Sequence, residues 1–180
     1  MLRIIGVGIC EGHMTDRAKN FIEKAEIVYG SERALKLADK WVRGEKILMK
    51  KFDKDVYSEI AKEGEKREVA VLSTGDPMVA GLGKFFRSAE VEPGISSVQL
   101  ALSKLKVDLC EVLVVNAHGK KLEIGKRGLL ILTDKNFDLS ALGKKEIIVL
   151  EDLCSAERIK RGTTEDIKLE SNNAIIYLGD

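Results

Sequence analysis

The first half of the chain alternates short, continuous aliphatic runs with patterns typical of amphipathic helices. The runs Leu2–Val7 and Glu68–Ser73 are rich in Ile, Val and Leu and lack a regular polar alternation. Such runs are expected of strands that are buried on both faces of a sheet. We therefore predict a mostly parallel N-terminal sheet flanked by helices over about the first 105 residues.

The local signals predict the order of elements in this half. Strands are predicted at Leu2–Val7, Glu26–Tyr29, Lys46–Met49, Glu68–Ser73 and Ala89–Glu92. Helices are predicted from an N-cap at Thr15 to near Lys24, from a cap at Ser31 to near Trp41, and over Val56–Glu63, Pro77–Arg87 and Ile95–Leu105.

The second half has a different pattern of predicted elements, in which strands are separated by weaker helical patterns. Strands are predicted at Glu111–Ala117, Gly128–Thr133, Glu146–Leu150 and Ala174–Leu178, and His118-Gly119 is predicted to form a turn. These features predict a smaller C-terminal domain with a mixed sheet. We place an N-terminal α/β domain at residues 1–108 and a C-terminal α/β domain at 109–180.

Composition narrows the function classes. The 180 residues include 30 basic and 29 acidic side chains, a net charge of +1, which gives no basic excess for a nucleic-acid partner. Apolar runs fall far short of the roughly 20 residues that cross a bilayer, and Met1 leads straight into a strand, so neither a membrane span nor a signal peptide is expected. Three scattered cysteines suggest neither a disulfide framework nor a zinc site and favour a reducing cytoplasm.

Three glycine-bearing segments follow predicted strands. They are Gly6-Val7-Gly8, Gly75-Asp76-Pro77 and Pro93-Gly94-Ile95-Ser96-Ser97. Ligands of open α/β sheets bind beyond the carboxyl ends of strands, where glycine lets the backbone approach them closely. Each segment also has a purely structural interpretation, since Asp76 with Pro77 forms a good helix start and either serine can cap a helix.

Phosphate-binding signatures are missing from these segments. Glu11 stands where the dinucleotide fingerprint has its third small residue, and the sequence has no Gly-Lys-Ser/Thr triplet. A nicotinamide cofactor or a nucleoside triphosphate is therefore disfavoured.

Taken together, these segments resemble the tetrapyrrole (corrin/porphyrin) methylases, in the same order and over nearly the whole chain. The matching stretches are Ile4–Gly8 with Met14-Thr15, Ala25–Gly30, Val71–Pro77 and Glu92–Ala101. Within that family, Pro93–Gln99, Asn116–Gly119 and Leu132–Asp134 are most similar to the cobalamin-pathway enzymes that methylate carbon 5 of a precorrin ring.

The resemblance implies two α/β domains with S-adenosylmethionine in the cleft between them and S-adenosylhomocysteine as the product. Carried over by position, the cofactor contacts would be Ile9, Gly75, Asp76, Val79, Ser96, Ser97, Ala117, Leu132 and Thr133. The substrate would be a (cobalt-)precorrin, the assembly a homodimer, and the protein itself would hold no metal.

Two departures from the family pattern are visible. The first loop usually reads Gly-x-Gly-Pro-Gly, whereas Ile9 and Cys10 follow Gly8 here and the loop is one residue shorter. Some relatives also carry a fused methyltransferase that acts on carbon 15 with decarboxylation. The sequence has no such segment, so a separate protein is expected to perform that reaction.

The chemistry requires little of the side chains beyond alignment and exclusion of water. If a proton leaves the ring, His118 is the candidate general base, although a turn histidine without chemistry is the commoner case. His13 is expected to be exposed to solvent. Lys120, Lys121, Lys126 and Arg127 are available to pair with substrate carboxylates, although such clusters are commonly just solvated.

Other functions stay open on the sequence alone. A family relative with another substrate, such as a diphthine synthase, is one, because its loop also reads Gly-Asp-Pro-Met-Val-Ala. A non-catalytic regulatory protein that binds S-adenosylmethionine is another. An unrelated nucleotide-binding α/β protein is the third, and the missing phosphate motifs disfavour it.

Overall fold

The computed structural model describes residues 1–117 and 128–179. The chain divides into two compact units, Met1–Ser96 and Ser97–Asp180. This division falls earlier than the domain boundary predicted after residue 108, which stays a prediction. The turn predicted at His118-Gly119 lies outside the described residues.

The first unit is a parallel sheet with helices. Its strands are β1 (Leu2–Gly6), β2 (Ile27–Gly30), β3 (Glu45–Leu48), β4 (Val69–Ser73) and β5 (Glu90–Glu92). Its helices are α1 (Asp16–Lys24), α2 (Glu32–Ala38) and α3 (Lys54–Gly64), with short 3-10 helices at Asp39–Trp41 and Gly83–Phe85. The sheet order is β3-β2-β4-β1-β5, and each neighbouring pair is parallel. The predicted parallel sheet is confirmed.

Side-chain caps fix where the three helices of this unit begin. The Thr15 hydroxyl accepts a hydrogen bond from the Ala18 amide at 3.0 Å, and the Ser31 hydroxyl accepts one from the Ala34 amide at 3.3 Å. Asp53 caps α3 in the same way. The predicted caps at Thr15 and Ser31 are thus confirmed, because these oxygens satisfy amides that have no partner within the helix.

Strand β4 is buried along its whole length and organises the core of the first unit. Ala70 and Leu72 pack on one face with residues of α1 and α2, and Val69 and Val71 pack on the other face with α3. Successive side chains of a strand point to opposite faces, so a sheet covered on both sides needs an apolar residue at every position. This requirement explains the continuous run seen in the sequence.

The helix predicted over Pro77–Arg87 is wrong. The segment folds back on itself, and the Gly83 amide donates to the Pro77 carbonyl at 2.9 Å. Ala80 has a left-handed φ of 54°, which interrupts a right-handed helix. Gly81 and Gly83 add a helix cost of about 1 kcal/mol each, and a Cβ at Gly81 would lie 2.7 Å from the Pro77 carbonyl oxygen.

The second unit contains a mixed sheet. Its described elements are α4 (Ser97–Leu105), β6 (Val112–Asn116), β7 (Gly128–Thr133), β8 (Glu146–Glu151), β9 (Arg158–Thr163) and β10 (Ala174–Leu178), with 3-10 helices at Leu109–Glu111 and Leu139–Leu142. The order is β6-β7-β10-β8-β9, with β6 parallel to β7 and the other pairs antiparallel. The predicted mixed sheet is confirmed. Throughout residues 1–117 and 128–179, helices fall short of the length and apolarity that a membrane crossing requires.

Strand β9 was not predicted, because its sequence Arg-Ile-Lys-Arg-Gly-Thr carries too much charge to suggest a strand. It lies at an edge of the sheet, where charged side chains prevent further strand pairing. Two of its cations, Arg158 and Lys160, face a carboxylate at the end of the neighbouring strand, Glu151.

Glu151 is fully buried and connects β8 to two other parts of the second unit. Its Oε1 accepts hydrogen bonds from the backbone amides of Glu170 at 2.6 Å and Ser171 at 2.9 Å, and its Oε2 lies 3.0 Å from Lys160 Nζ. Burial alone would raise the pKa of Glu151, but these hydrogen bonds and the Lys160 charge outweigh burial and hold that pKa below its ordinary value. The carboxylate is therefore ionised in the folded protein.

We predict that Glu151→Gln lowers the free energy of unfolding at pH 7 by about 1–3 kcal/mol, because Lys160 loses its buried counter-charge. A pKa that is depressed by folding stabilises the protein above the unfolded-state pKa, and this contribution disappears as the pH falls through the folded-state pKa. The difference between wild type and variant should therefore shrink on acidification, as measured by urea unfolding between neutral and acidic pH.

Glu165→Gln is the matched control in the same unit. Glu165 pairs with Lys144 at 2.7 Å, but its side chain is 61% exposed, so its loss should cost less than about 1 kcal/mol. Equal losses for the two variants would contradict the role assigned to Glu151.

Candidate functional site

Three loops meet at the carboxyl edge of the first sheet. Strands β4, β1 and β5 are adjacent and parallel, so the segments that follow them leave the sheet side by side. Gly8 and Gly75 form a two-bonded bridge in which the Gly8 amide donates to Gly75 O at 3.2 Å and the Gly75 amide donates to Gly8 O at 2.8 Å. The first two segments singled out in the sequence are thus directly bonded to each other.

Gly6, Gly75 and Gly94 form what we call the glycine junction, where the three backbones are in direct contact. A Cβ at Gly6 would lie 2.5 Å from the Gly94 nitrogen and 2.8 Å from the Gly75 oxygen. A Cβ at Gly94 would lie 2.6 Å from the same Gly75 oxygen. Gly75 itself has a φ of 76°, in the left-handed region that other residues rarely adopt. These glycines are therefore required by close packing of the backbone.

Asp76 connects two of the loops. Its Oδ1 accepts a hydrogen bond from the Met78 amide at 2.7 Å, and its Oδ2 accepts one from the Gly94 amide at 3.3 Å. The interpretation of Asp76 as a helix cap is wrong, because no helix begins at Pro77. The carboxylate instead closes a local turn and holds the loop after β5 against the loop after β4.

The other predicted cofactor residues of the first unit lie at this same edge. Ile9 is buried, and its Cγ2 is the closest side-chain atom, at 3.4 Å, to a Cβ placed at Gly75. The half-buried Val79 follows the Asp76 turn, and its amide donates to the Asp76 carbonyl at 3.2 Å. Ser96 is 2% exposed, and its Cα lies 3.7 Å from the same Gly75 position. The structure therefore brings Ile9, Asp76, Val79 and Ser96 together around Gly75.

Glu92 is a polar residue of this edge that the sequence reasoning did not select. It is 4% exposed at the end of β5, and its Oε1 accepts a hydrogen bond from the Thr15 hydroxyl at 2.7 Å. Arg17 Nε lies 3.4 Å from its other oxygen. A glutamate directly before Pro93-Gly94 at the end of an apolar strand was the available signal, and its contacts make it an anchor for the start of α1.

His13 does not have the exposed position expected from the sequence. Its Cβ occupies the space beside Gly8, where an added Cβ would lie 2.2 Å away, and its Nδ1 is buried without a hydrogen-bond partner among the described residues. Its carbonyl accepts a hydrogen bond from the Ile95 amide at 3.5 Å. The histidine is thus packed between the first and third loops.

In the second unit, Ala117, Leu132 and Thr133 lie together where the parallel strands β6 and β7 end. Asn116 and Leu132 are paired in the β6–β7 register, and the Ala117 amide donates to the Leu132 carbonyl at 3.2 Å. All three predicted residues are at most 7% exposed. Ser97 is the first residue of α4 in this unit. His118 and the basic residues after it lie outside the described residues.

The chemical character of the predicted set is uniform. Apart from Asp76, its described members are glycine, alanine, serine, threonine and aliphatic residues, which bind a ligand through backbone groups, hydroxyls and shape. Such a set suits a neutral or zwitterionic small molecule and provides little acid–base chemistry.

The parallel sheet with its loop junction defines an α/β protein whose loops meet at the carboxyl edge of the strands, where doubly wound proteins bind their ligands. The family profile of the tetrapyrrole (corrin/porphyrin) methylases matches residues 1–168, and the chain belongs to this family. Tetrapyrrole methylases use S-adenosyl-L-methionine. The family resemblance and the fold class predicted from the sequence are both confirmed.

Individual relatives agree with this assignment. A precorrin-6Y methylase of cobalamin biosynthesis from Archaeoglobus fulgidus superposes with a TM-score of 0.91 at 48% identity, covering 99% of this chain and 97% of that one. A probable cobalt-precorrin-7 C(5)-methyltransferase from Methanocaldococcus jannaschii is 33% identical over 67% of this chain and 62% of its own length. A decarboxylating precorrin-6Y C(5,15)-methyltransferase from Sinorhizobium sp is 32% identical over 88% of this chain and 44% of its own length. The matches thus span less than two thirds of either curated relative.

We predict that Gly94→Ala disrupts the glycine junction. The new methyl group would collide with backbone atoms of Gly75 and Gly6, which cannot rotate away, so the free energy of unfolding should fall by about 1–3 kcal/mol. Chemical denaturation of the purified variant measures this loss.

Gly162→Ala is the control for this experiment, because a Cβ there meets only the Ile167 side chain at an ordinary 3.4 Å. Its stability should stay unchanged or rise by up to about 1 kcal/mol, since alanine is less flexible than glycine in a strand. A Gly94→Ala protein as stable as this control would show that the junction tolerates a side chain.

Proposed function

We propose that the protein is an S-adenosylmethionine-dependent methyltransferase that methylates carbon 5 of a (cobalt-)precorrin. The observation that carries the proposal is the glycine junction with Asp76, where three loops that belong to the family resemblance contact one another at one edge of the first sheet. The names of the Archaeoglobus and Methanocaldococcus relatives support a precorrin substrate, and the second name supports carbon 5.

The proposed cofactor contacts are those expected from the resemblance. In the first unit they are Ile9, Gly75, Asp76, Val79 and Ser96, and in the second they are Ser97, Ala117, Leu132 and Thr133. The residues fit the cofactor because they offer hydroxyls, backbone groups and small or aliphatic side chains, and two buried serines, Ser73 and Ser96, lie beside the glycine junction. Hydroxyls and backbone groups of this kind can bind the amino-acid and ribose groups of a small cofactor.

S-adenosylmethionine, when bound, supplies an activated methyl group on a sulfonium. The chain contributes positioning, and alignment of two reactants can account for roughly 7–11 kcal/mol of barrier. The bridge between Gly8 and Gly75 and the two Asp76 hydrogen bonds fix the loops before any ligand arrives, which reduces the ordering cost of binding.

The wider biological setting is also part of the proposal. The substrate is a polycarboxylate, the enzyme is a homodimer in the cytoplasm, and a protein other than this chain modifies carbon 15.

We predict that the purified protein transfers one methyl group to a precorrin-7-type substrate. Mass spectrometry should detect a gain of a single methyl group, and NMR of the isolated product should place it at carbon 5. Methylation at another ring carbon would show that carbon 5 is not the position that the enzyme methylates. Binding of S-adenosylmethionine without any transfer to precorrins would favour a regulatory protein instead.

We predict that Asp76→Ala weakens binding of S-adenosylhomocysteine about tenfold, or about 1.4 kcal/mol, because the loop loses two hydrogen bonds that fix it. Isothermal titration calorimetry measures the change.

Asp138→Ala is the matched control for Asp76→Ala. Asp138 also accepts a hydrogen bond from an amide two residues ahead, that of Ser140 at 2.9 Å, but it lies in the second unit and is not a proposed cofactor contact. The Asp138→Ala variant should bind S-adenosylhomocysteine with the same affinity as the wild type. Equal affinities for all three proteins would remove Asp76 from the site.

A further inference from the structure

A thiol and an imidazole lie side by side in the first loop, and neither has a part in the proposed reaction. Cys10 Sγ is 3.3 Å from His13 Nε2, within hydrogen-bonding distance for sulfur. Both side chains are half-buried, so the pair is partly shielded from water and still reachable from it. A cysteine beside a histidine can pass its proton to the ring, which leaves the nucleophilic thiolate.

The loop holds this pair in place on both sides. The His13 amide donates to the Cys10 carbonyl at 3.2 Å, which closes a turn between the two residues. The His13 Cβ fills the space beside Gly8, so the base of the His13 side chain is packed against the loop. A fixed imidazole next to a thiol differs from a chance surface contact, because little side-chain freedom remains to be lost when the ion pair forms.

Charges around the pair in the first unit favour a thiolate. Arg33 Nη2 donates to the carbonyl of Ile9, the residue before Cys10, at 2.9 Å and brings a cation to the loop. The negative charge of Glu11 would oppose the thiolate. Glu11 is paired with Lys40 at 2.7 Å, which lowers the Glu11 pKa, and the positive charge of Lys40 offsets that of the carboxylate. Arg33 therefore adds a positive charge beside Cys10, and Lys40 offsets the carboxylate that follows Cys10 in the chain.

We propose that Cys10 is a reactive thiol primed by His13, and that soft electrophiles modify it next to the candidate cofactor site. With iodoacetamide, the sulfur forms a bond to the methylene carbon, the carbon–iodine bond breaks, and iodide leaves with the bonding electrons. The thiol proton goes to His13 and then to water. Cys10 follows Ile9 and the Gly8–Gly75 bridge, so an added group lies beside residues that are proposed to hold the cofactor, and this second part rests on the proposed function.

Cys110 provides an internal comparison. It is exposed, but its partner is a carboxylate, and the hydrogen bond and negative charge of Asp108 raise the pKa of the Cys110 thiol. Exposure alone would make Cys110 the faster residue, whereas activation by a neighbouring base would favour Cys10. The two cysteines therefore separate accessibility from chemistry.

The test is alkylation of the native protein with iodoacetamide in the presence of EDTA, with each cysteine-containing peptide quantified by mass spectrometry over a range of pH. The midpoint of the pH–rate profile should lie at least about one pH unit lower for Cys10 than for Cys110. His13→Gln should move the Cys10 midpoint towards that of Cys110 and slow its reaction at pH 7 about tenfold. Equal midpoints in wild type, or a Cys10 profile unaffected by His13→Gln, would overturn the proposal.

The wild-type comparison needs no variant, so it stands even where His13→Gln does not fold. A second arm adds saturating S-adenosylhomocysteine, which should slow alkylation of Cys10 and leave Cys110 unchanged. If calorimetry shows that the ligand binds and Cys10 is not protected, the placement beside the cofactor is wrong. If the ligand does not bind, the proposed function fails, whereas the reactivity of the thiol is still decided by the pH profiles.

Discussion

The first unit depends on direct contact between backbones at the glycine junction. Three parallel strands can deliver their loops to one point only if no side chain stands between them, and Gly6, Gly75 and Gly94 meet that condition within distances that exclude a Cβ. The bridge between Gly8 and Gly75 then gives the loops hydrogen bonds of their own beyond the end of the sheet. Asp76 adds a side-chain contact to the third loop. The rigidity of the candidate site is thus a property of main-chain packing.

The two units solve the problem of burying a sheet differently. In the first, the central strand β4 is buried at every position, is apolar from Val69 to Leu72 and is covered on both faces. In the second, the edge strand β9 is rich in cations, and the buried carboxylate of Glu151 requires paired charges and two backbone amides to be stable there. Removing one partner of such a group leaves an uncompensated charge. The pairing of β8 with β9 therefore depends on every partner of Glu151 being present.

Sequence reasoning was most successful where a local rule decides the structure. The continuous aliphatic runs and the caps Thr15 and Ser31 gave strands and helix starts that the structure confirms. The helix prediction failed at Pro77–Arg87. A good helix start is followed there by Gly81 and Gly83, and the segment folds back on itself instead. Sequence reasoning also missed β9, since charge that protects an edge strand looks like a loop in sequence. The sequence predicted three glycine-bearing loops at strand ends, but their meeting at one junction and the contacts that require each glycine depend on strand order and register.

The segment between β4 and β5 has a consequence for how this fold can change. It passes from one neighbour of β1 to the other without an α-helix, and its main apolar contribution to the core is Phe86, 4% exposed, with Leu82 beside the same cluster. The sheet therefore does not rely on a regular element here, and we expect changes in length between Met78 and Leu82 to leave strand pairing intact. Because this segment starts at Asp76, such changes in length would reshape the border of the candidate site while the loops that form its base stay fixed. The fold thus separates the part of the site that must be constant from a part that can diverge.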